Sequence, residues 1–543
     1  MLIFHAHAFK FHTATEVLAH IPRGDTVSND PRFIEMPIDH FDNKTSATFQ
    51  NRYWVNDTYY KPGGPVILFD SGEQNAEPLL PYYLQEYHGL SATMRLAKRY
   101  NGVAILWEHR FYGASLPFPV NSNTTAEQWQ FLTTEQALED VVYFANRFSI
   151  PGSHSKNSLH PSSTPWIWVG GSYPGVRGAM LRVRNPSTIF ASWSSSAPVQ
   201  SEVDMSSYYK AAERSLTRNC SADWVAVTKL VDQTLMNGTT DEQIDLKVSL
   251  LSARASSPGN HVNVSRETAN RTSALSAASV LMEPLNFYQY YGFEASLLPF
   301  CNILETRNFT SEPFEGGIVS QPELGAQAAF DSFMVALAQI DYDSIQGGQD
   351  DPVGDRSWMW QYCSEYGFYQ RGDPNNPLSI ETSFRSLELF QQECNQTFTK
   401  GLPPSPQTQH INKYGGWLMN VSNVLFTNGE FDPWRTMGLA SIEPNSPQRQ
   451  PTTAIPACNE PPAFPSFFGM THSNMVHVSD LRVLLTPDSN HTNFQTVGFF
   501  SPVAKNGEPF YAGLGLFEMA LDEWLPCFGK RGGPRGDQES MST

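Results

Sequence analysis

Three short, almost wholly apolar runs constrain this chain more than any other feature. Residues 65–69 (Pro-Val-Ile-Leu-Phe), 103–107 (Val-Ala-Ile-Leu-Trp) and 166–169 (Trp-Ile-Trp-Val) have the length of strands and none of the polar alternation of a strand that faces water. A strand apolar on both sides is covered on both faces, which is the condition of a strand in a parallel sheet. Between these runs lies helical material. One helix is expected at about 91–100. Another opens at Thr133, with Gln136 three residues later as a capping box, and carries Leu138, Val141, Val142, Ala145 and Phe148 on one face. A third is expected at about 176–183, followed by a strand near 190–193. Two strands at 33–38 and 48–55 and a turn at Pro62-Gly63-Gly64 come before. Alternating strands and helices predict an α/β fold with a mostly parallel sheet and right-handed crossovers.

This rhythm stops at about residue 200 and returns near 423 with Val424-Leu425-Phe426-Thr427. The reading is an α/β core in two parts, 31–200 and 405–528, interrupted by a helical cap over 201–404. Residues 1–30 form an N-terminal segment and 529–543 a disordered tail rich in Gly, Arg and Ser. A chain of 543 residues has room for this arrangement.

Ser172 sits where the apolar strand 166–169 meets the following helix, flanked by Gly170, Gly171 and Gly175. Serine is a poor nucleophile unless held near a base. A sharp strand-to-helix turn lifts its Oγ off the sheet and aims the first helical amides at a developing oxyanion. The usual pattern is G-x-S-x-G; Pro174 stands at its last position, which the first turn of a helix tolerates. Asp432 follows the strand at 424–427, where the orienting acid of a triad belongs, with Glu430 as a close rival. His477 follows a final strand at 467–470 and has the side chain that takes and returns a proton near neutrality, with His472 and His491 as competitors. The order Ser, Asp, His favours His477, because α/β-hydrolases use that order. For the oxyanion hole the expectation is the Tyr173 amide and Gly72, in the loop Asp70-Ser71-Gly72-Glu73 after the third strand, with the Tyr112 hydroxyl as an alternative donor.

Formal net charge is −18 and the pI is about 5.2, so phosphate backbones would be repelled and nucleic acid is excluded as a partner. The chain is 40% hydrophobic with a mean hydropathy of −0.36, a globular composition in which no run reaches the length of a membrane span. Nothing in it calls for a metal or a cofactor: Cys220, Cys301, Cys363, Cys394, Cys458 and Cys527 contain no CxxC pair. Six cysteines allow fifteen pairings; at least one bridge is expected among the four in 201–404 and one between the other two. Glycosylation sequons recur at Asn43, Asn56, Asn123, Asn219, Asn237, Asn263, Asn270, Asn308, Asn395, Asn420 and Asn490, a density that favours passage through the secretory pathway. The first eleven residues hold His5, His7 and Lys10, so they make no clean signal sequence; the expectation is a degraded signal or a misassigned start.

Read together, several segments resemble one family. They are Ile38-Asp39-His40-Phe41, Gln50-Asn51-Arg52-Tyr53, Glu108-His109-Arg110-Phe111-Tyr112-Gly113, Gln136-Ala137-Leu138, Gly170-Gly171-Ser172-Tyr173, Ser196-Ala197-Pro198-Val199, Trp360-Gln361-Tyr362-Cys363-Ser364-Glu365, Asp432-Pro433-Trp434, and His477 before Asp480-Leu481-Arg482. In order and spacing they are similar to the serine peptidases that include lysosomal Pro-Xaa carboxypeptidase, dipeptidyl-peptidase II and fungal proline-specific endopeptidases. The resemblance implies an α/β-hydrolase core with an inserted helical cap. It implies cleavage on the carboxyl side of proline, with Ser172 as nucleophile, Asp432 as acid, His477 as base and Trp434 in the proline pocket. Two departures stand out: Pro174 replaces a small residue, and Val478 stands where several members have a second histidine.

The expected protein is therefore a secreted or lysosome-like serine peptidase acting on proline-containing peptides through an acyl-enzyme, as an exo- or endopeptidase, with a homodimer left open. An esterase or lipase on the same fold is the first alternative. A catalytically inactive secreted binding protein is the second.

Overall fold

The computed structural model describes residues 30–42, 46–85, 91–150, 159–286, 288–339, 351–481, 485–487, 494–496 and 508–529. Asn43, Asn490, His491, nearly all of the N-terminal segment and the tail after Gly529 lie outside these residues.

The central sheet has nine strands: β1 (Arg32–Pro37), β2 (Thr48–Asn56), β3 (Val66–Asp70), β4 (Val103–Trp107), β5 (Trp166–Gly171), β6 (Ala191–Ser195), β7 (Val424–Gly429), β8 (Gln450–Thr452) and β9 (Ser466–His472). Their spatial order is β1-β2-β4-β3-β5-β6-β7-β9-β8. β1 and β2 form an antiparallel pair and β2 runs antiparallel to β4; every pairing from β4 onward is parallel. The apolar runs become the middle of this sheet for the reason their composition suggested. Val66 and Leu68 of β3, with Trp166 and Trp168 of β5, join one apolar cluster with helices α2 (Thr134–Ala145) and α3 (Tyr173–Arg184). Ile67 and Phe69, with Ile167 and Val169, join another with α1 (Ala92–Tyr100) and the C-terminal helix α7 (Glu508–Trp524) on the opposite face. Neighbouring side chains of a strand point to opposite faces, so a strand sandwiched between helices must be apolar at every position.

Several charged residues in the segments that carry the family resemblance turn out to be buried scaffold. Arg52 grips Glu108 with two hydrogen bonds, 3.0 and 2.6 Å. Arg110 does the same to Asp140 at 2.6 Å each, and His40 Nε2 lies 2.7 Å from the same carboxylate. Bidentate pairing compensates the loss of water around both charges. Thr133 caps α2 by accepting the Gln136 amide. The Gln136 side chain does not return the bond, which corrects the expected capping box. Its amide reaches Asp39 Oδ1 at 2.6 Å and its carbonyl accepts from His40 N, tying β1 to α2.

Between β6 and β7 the described chain contains helices and isolated bridges. It packs as two units. Helices α4 (Arg218–Asn237), α5 (Thr240–Ala255) and α6 (Gly325–Gln339) enclose their own cluster around Trp224, Phe300 and Phe333, braced by Cys220–Cys301. Trp358, Trp360, Phe390 and Phe398 instead join the cluster of β3, β5, α2 and α3, braced by Cys363–Cys394. Cys458–Cys527 ties the loop before β9 to the end of α7. These bridges follow the expected grouping.

Asn123, Asn237, Asn263, Asn270, Asn308, Asn395 and Asn420 are exposed, and Asn219 is half-buried. Asn56 is a correction: it is 2% exposed at the end of β2 and donates to Leu84 O at 2.7 Å, so it has no room for a glycan.

Candidate active site

The chain turns from β5 into α3 at a single strained residue. Ser172 has φ 64° and ψ −128°, a conformation that costs a non-glycine residue about 1–3 kcal/mol. It persists because both flanks are fixed: β5 lies between β3 and β6, and Ser172 N donates to Ser195 O at 2.8 Å. The turn admits no bulk before the serine, since a Cβ on Gly171 would lie 2.5 Å from Val478 Cγ1. Pro174 is accommodated in the first turn of α3, where no intrahelical acceptor is lost. Ser172 is 3% exposed, and its Oγ has no hydrogen-bond partner among the described residues.

On the loop after β7, Asp432 starts a short helical turn and accepts from Trp434 N at 2.9 Å and Asn428 Nδ2 at 3.3 Å. Its Oδ1 also lies 2.8 Å from His477 Nδ1, and both side chains are fully buried. A carboxylate at Nδ1 fixes the imidazole tautomer that leaves Nε2 as the acceptor. The histidine loop is held against the serine turn through its next residue. Val478 packs on Gly171, donates its amide to Ser196 Oγ at 2.9 Å, and has φ 54°, an outlier for a β-branched residue. Asp432 and His477, on the loops after β7 and β9, are thus bonded to each other, and Val478 next to His477 packs on the turn that holds Ser172, whose Oγ forms no hydrogen bond among the described residues.

The rivals sit elsewhere. Glu430 accepts from Asn474 N at 3.0 Å on the surface. His472 lies 3.4 Å from Asp480, whose other oxygen takes the Ser195 hydroxyl at 2.5 Å. The oxyanion expectation needs one correction. Tyr173 N is the first helical amide, with no acceptor inside the helix. Gly72 N, however, donates to Asp70 Oδ1 at 3.2 Å, within its own turn. That turn requires glycine, because φ is +67° and a Cβ would lie 2.4 Å from the Pro174 ring. Tyr112 is also engaged, donating to Gln361 Oε1 at 2.5 Å; Gln361 in turn donates to Tyr173 OH, which bonds His109 Nε2. Burial, with Arg177 adding to it, holds His109 well below the ordinary histidine range, so it is a neutral member of this network.

Trp434 is 6% exposed and lies with Ser172 on one small apolar pocket, walled also by Tyr173, Val176, Trp358 and Phe368. Its indole stands edge-on to Phe368 at 5.1 Å and to Tyr208 at 5.6 Å, and 6.2 Å from the His477 ring. Trp434 Nε1 donates to Gln289 Oε1 at 2.9 Å, and Tyr208 OH to the same oxygen at 2.5 Å. These two residues from the segment between β6 and β7 fix the angle of the indole, a role that no local signal around Gln289 announces.

A mostly parallel sheet of this order, with a strained serine between its fifth strand and the next helix, defines an α/β-hydrolase of the serine type. Residues 36–449 match the family described as serine carboxypeptidase S28, and the chain belongs to that family of serine peptidases. It is 26% identical over 79% of its length to a serine protease, vicPb, of Bipolaris victoriae, covering 82% of that protein. It is 29% identical to a probable extracellular serine carboxypeptidase of Arthroderma benhamiae over 75% of this chain, and spans only 59% of that longer protein. It is 29% identical to human thymus-specific serine protease over 75% of this chain and 77% of that one. Among solved structures, a proline iminopeptidase of Mycobacterium smegmatis aligns with 83% of this chain and 93% of its own at 12% identity and a TM-score of 0.32.

Proposed function

We propose that the protein is a secreted serine peptidase that cleaves on the carboxyl side of proline, with Ser172 as nucleophile, His477 as base and Asp432 as the orienting acid. The observation that carries this reading is the Asp432–His477 pair at 2.8 Å beside an apolar pocket that Ser172 and Trp434 line together. In the reaction, His477 Nε2 takes the Ser172 proton as Oγ attacks the prolyl carbonyl. Asp432 stabilises the imidazolium, and the Tyr173 amide faces the oxyanion. His477 then protonates the departing amine, leaving a prolyl ester on Ser172. Water activated by the same imidazole hydrolyses that ester.

Proline at the acyl position suits the pocket because its ring is compact and apolar and carries no N–H in a peptide. Aromatic walls and close shape serve it, and an unpaired charge would not. Secretion is supported by three disulfides and by the exposed sequons. No helix among the described residues is long and apolar enough to cross a membrane. The test is incubation of a blocked peptide containing one proline, with product masses read out, alongside fluorophosphonate labelling. Cleavage after proline and labelling are expected, and both are lost in Ser172→Ala, since removal of one triad member costs several orders of magnitude. Retained peptidase activity in Ser172→Ala would reject the assignment.

A further inference from the structure

Ser172 is not the only non-glycine residue near the site with a positive φ: Ser196 has 47° and Val478 has 54°. These two lie 282 positions apart and are joined by one hydrogen bond, from Val478 N to Ser196 Oγ at 2.9 Å. Both are buried. Backbone strain of this kind persists only where the surroundings over-determine it, and it gathers where geometry is put to use.

Ser196 follows the end of β6, and that end is a junction. Ser195 O accepts the Ser172 amide at 2.8 Å, and Ser196 N donates to Thr427 O of β7 at 2.6 Å. Ser195 Oγ donates to Asp480 Oδ1 at 2.5 Å. The serine turn, β7 and the histidine turn therefore all bond to two consecutive serines. The histidine turn is itself closed. Val476 N donates to Ser479 Oγ at 3.1 Å, Ser479 Oγ to Val476 O at 2.9 Å, and Leu481 N to Val478 O at 3.1 Å. This closed turn is tied to β6 at two points, Val478 N and the Asp480 carboxylate, both just past His477.

We propose that Ser196 is a positioning residue of the peptidase: its hydroxyl holds the histidine turn so that His477 is presented to Ser172, with Ser195 and Asp480 as the second point of attachment. The inference rests on the serine-peptidase reading above and concerns the same site. What the hydroxyl adds is direction. Asp432 fixes the imidazole tautomer from the loop after β7. The packing of Val478 on Gly171 limits how near the two turns come, but apolar contact is non-directional. A hydrogen bond weakens steeply off its axis, so the bond from Val478 N to Ser196 Oγ sets the orientation of the backbone that carries the imidazole. Ser196 acts through Val478 and not on the substrate.

The experiment measures kcat and KM for a proline peptide, the rate of fluorophosphonate inactivation and the melting temperature. It uses the full chain as wild type, Ser196→Ala and Ser196→Gly. Both substitutions remove the hydroxyl. Alanine keeps a Cβ at a φ of 47°, whereas glycine relieves that strain, so Ser196→Gly melts higher than Ser196→Ala. Both nevertheless lose kcat by about tenfold to a hundredfold, because a displacement of about 1 Å at the reacting groups costs that much. Inactivation slows by the same factor. KM stays near the wild-type value, since Ser196 is not among the walls of the Trp434 pocket. A serine that serves stability alone gives the opposite pattern, with kcat recovering in Ser196→Gly along with the melting temperature, and that result overturns the proposal. So does a loss of kcat under about tenfold in folded Ser196→Gly, or a loss confined to KM. Should Ser196→Ala fail to fold, Ser196→Gly decides alone through its kcat and KM. Failure of the underlying reading looks different: the wild type itself would neither turn over the proline peptide nor take the label.

Discussion

Replacing Trp434 by alanine tests the pocket most directly. The indole is 6% exposed, forms one wall of the cavity that Ser172 borders, and packs edge-on against Phe368 and Tyr208. Truncating a buried aromatic costs about 3–5 kcal/mol when all of its contacts are with protein. Here part of the wall faces the substrate, so about 2–4 kcal/mol of transition-state binding for proline is at stake. At 1.36 kcal/mol per decade this is about a 30-fold to 900-fold loss in kcat/KM. Alanine at the same substrate position touches less of the wall and loses less, so the Pro-to-Ala ratio narrows. Trp434→Phe separates the two functions of the residue: it keeps an apolar wall and removes the bond to Gln289 Oε1, and an intermediate ratio is expected. The assay is kcat/KM for matched Pro and Ala peptides on variants whose melting curves show folded protein. An unchanged Pro-to-Ala ratio in folded Trp434→Ala would refute the pocket assignment and leave Ser172, Asp432 and His477 untouched.

Asp432→Asn should leave the fold intact and lower kcat by about four orders of magnitude, because an amide at that position favours the wrong imidazole tautomer; steady-state kinetics on the variant checks it, and a loss under tenfold would remove Asp432 from the triad. Asp140 tests the scaffold. Burial pushes its carboxyl up, but Arg110 and its hydrogen bonds, with His40 adding to them, outweigh this and leave it below the ordinary value of 3.8. Its folded value lies below the unfolded one, so its stabilisation is present above the unfolded value and disappears as pH falls through the folded one. Asp140→Asn should therefore cost about 3–5 kcal/mol at neutral pH, since it leaves Arg110 buried without a counter-charge. Urea unfolding of both proteins should show the gap closing at strongly acid pH, and a gap independent of pH would contradict the ion-pair account.

What the sequence determined by itself was whatever depends on a few neighbouring residues. Strand runs such as Ile67–Leu68 and Ile167–Trp168 are apolar at every position because both faces are covered, and that pattern is readable without knowing what covers them. Ser172 was legible because its turn is a local object: an apolar strand, two glycines, a serine and a helix start. The grouping of the cysteines followed from where they fall in the chain.

The tertiary structure decided everything that depends on which distant segments meet. His472 and His477 lie five residues apart around the end of β9; the path of the chain there brings His477 to Asp432 and His472 to Asp480. The glycine expected to stabilise an oxyanion spends its amide on Asp70 within its own turn. Asn56 and Asn123 carry the same three-residue signal, yet the fold buries the first and exposes the second. Trp434 is oriented by Gln289, 145 positions earlier in the chain. Local periodicity records how much of a residue is buried, since burial repeats along an element. The identity of the partner across the gap leaves no such repeat, because it is fixed by the packing of elements far apart in the chain.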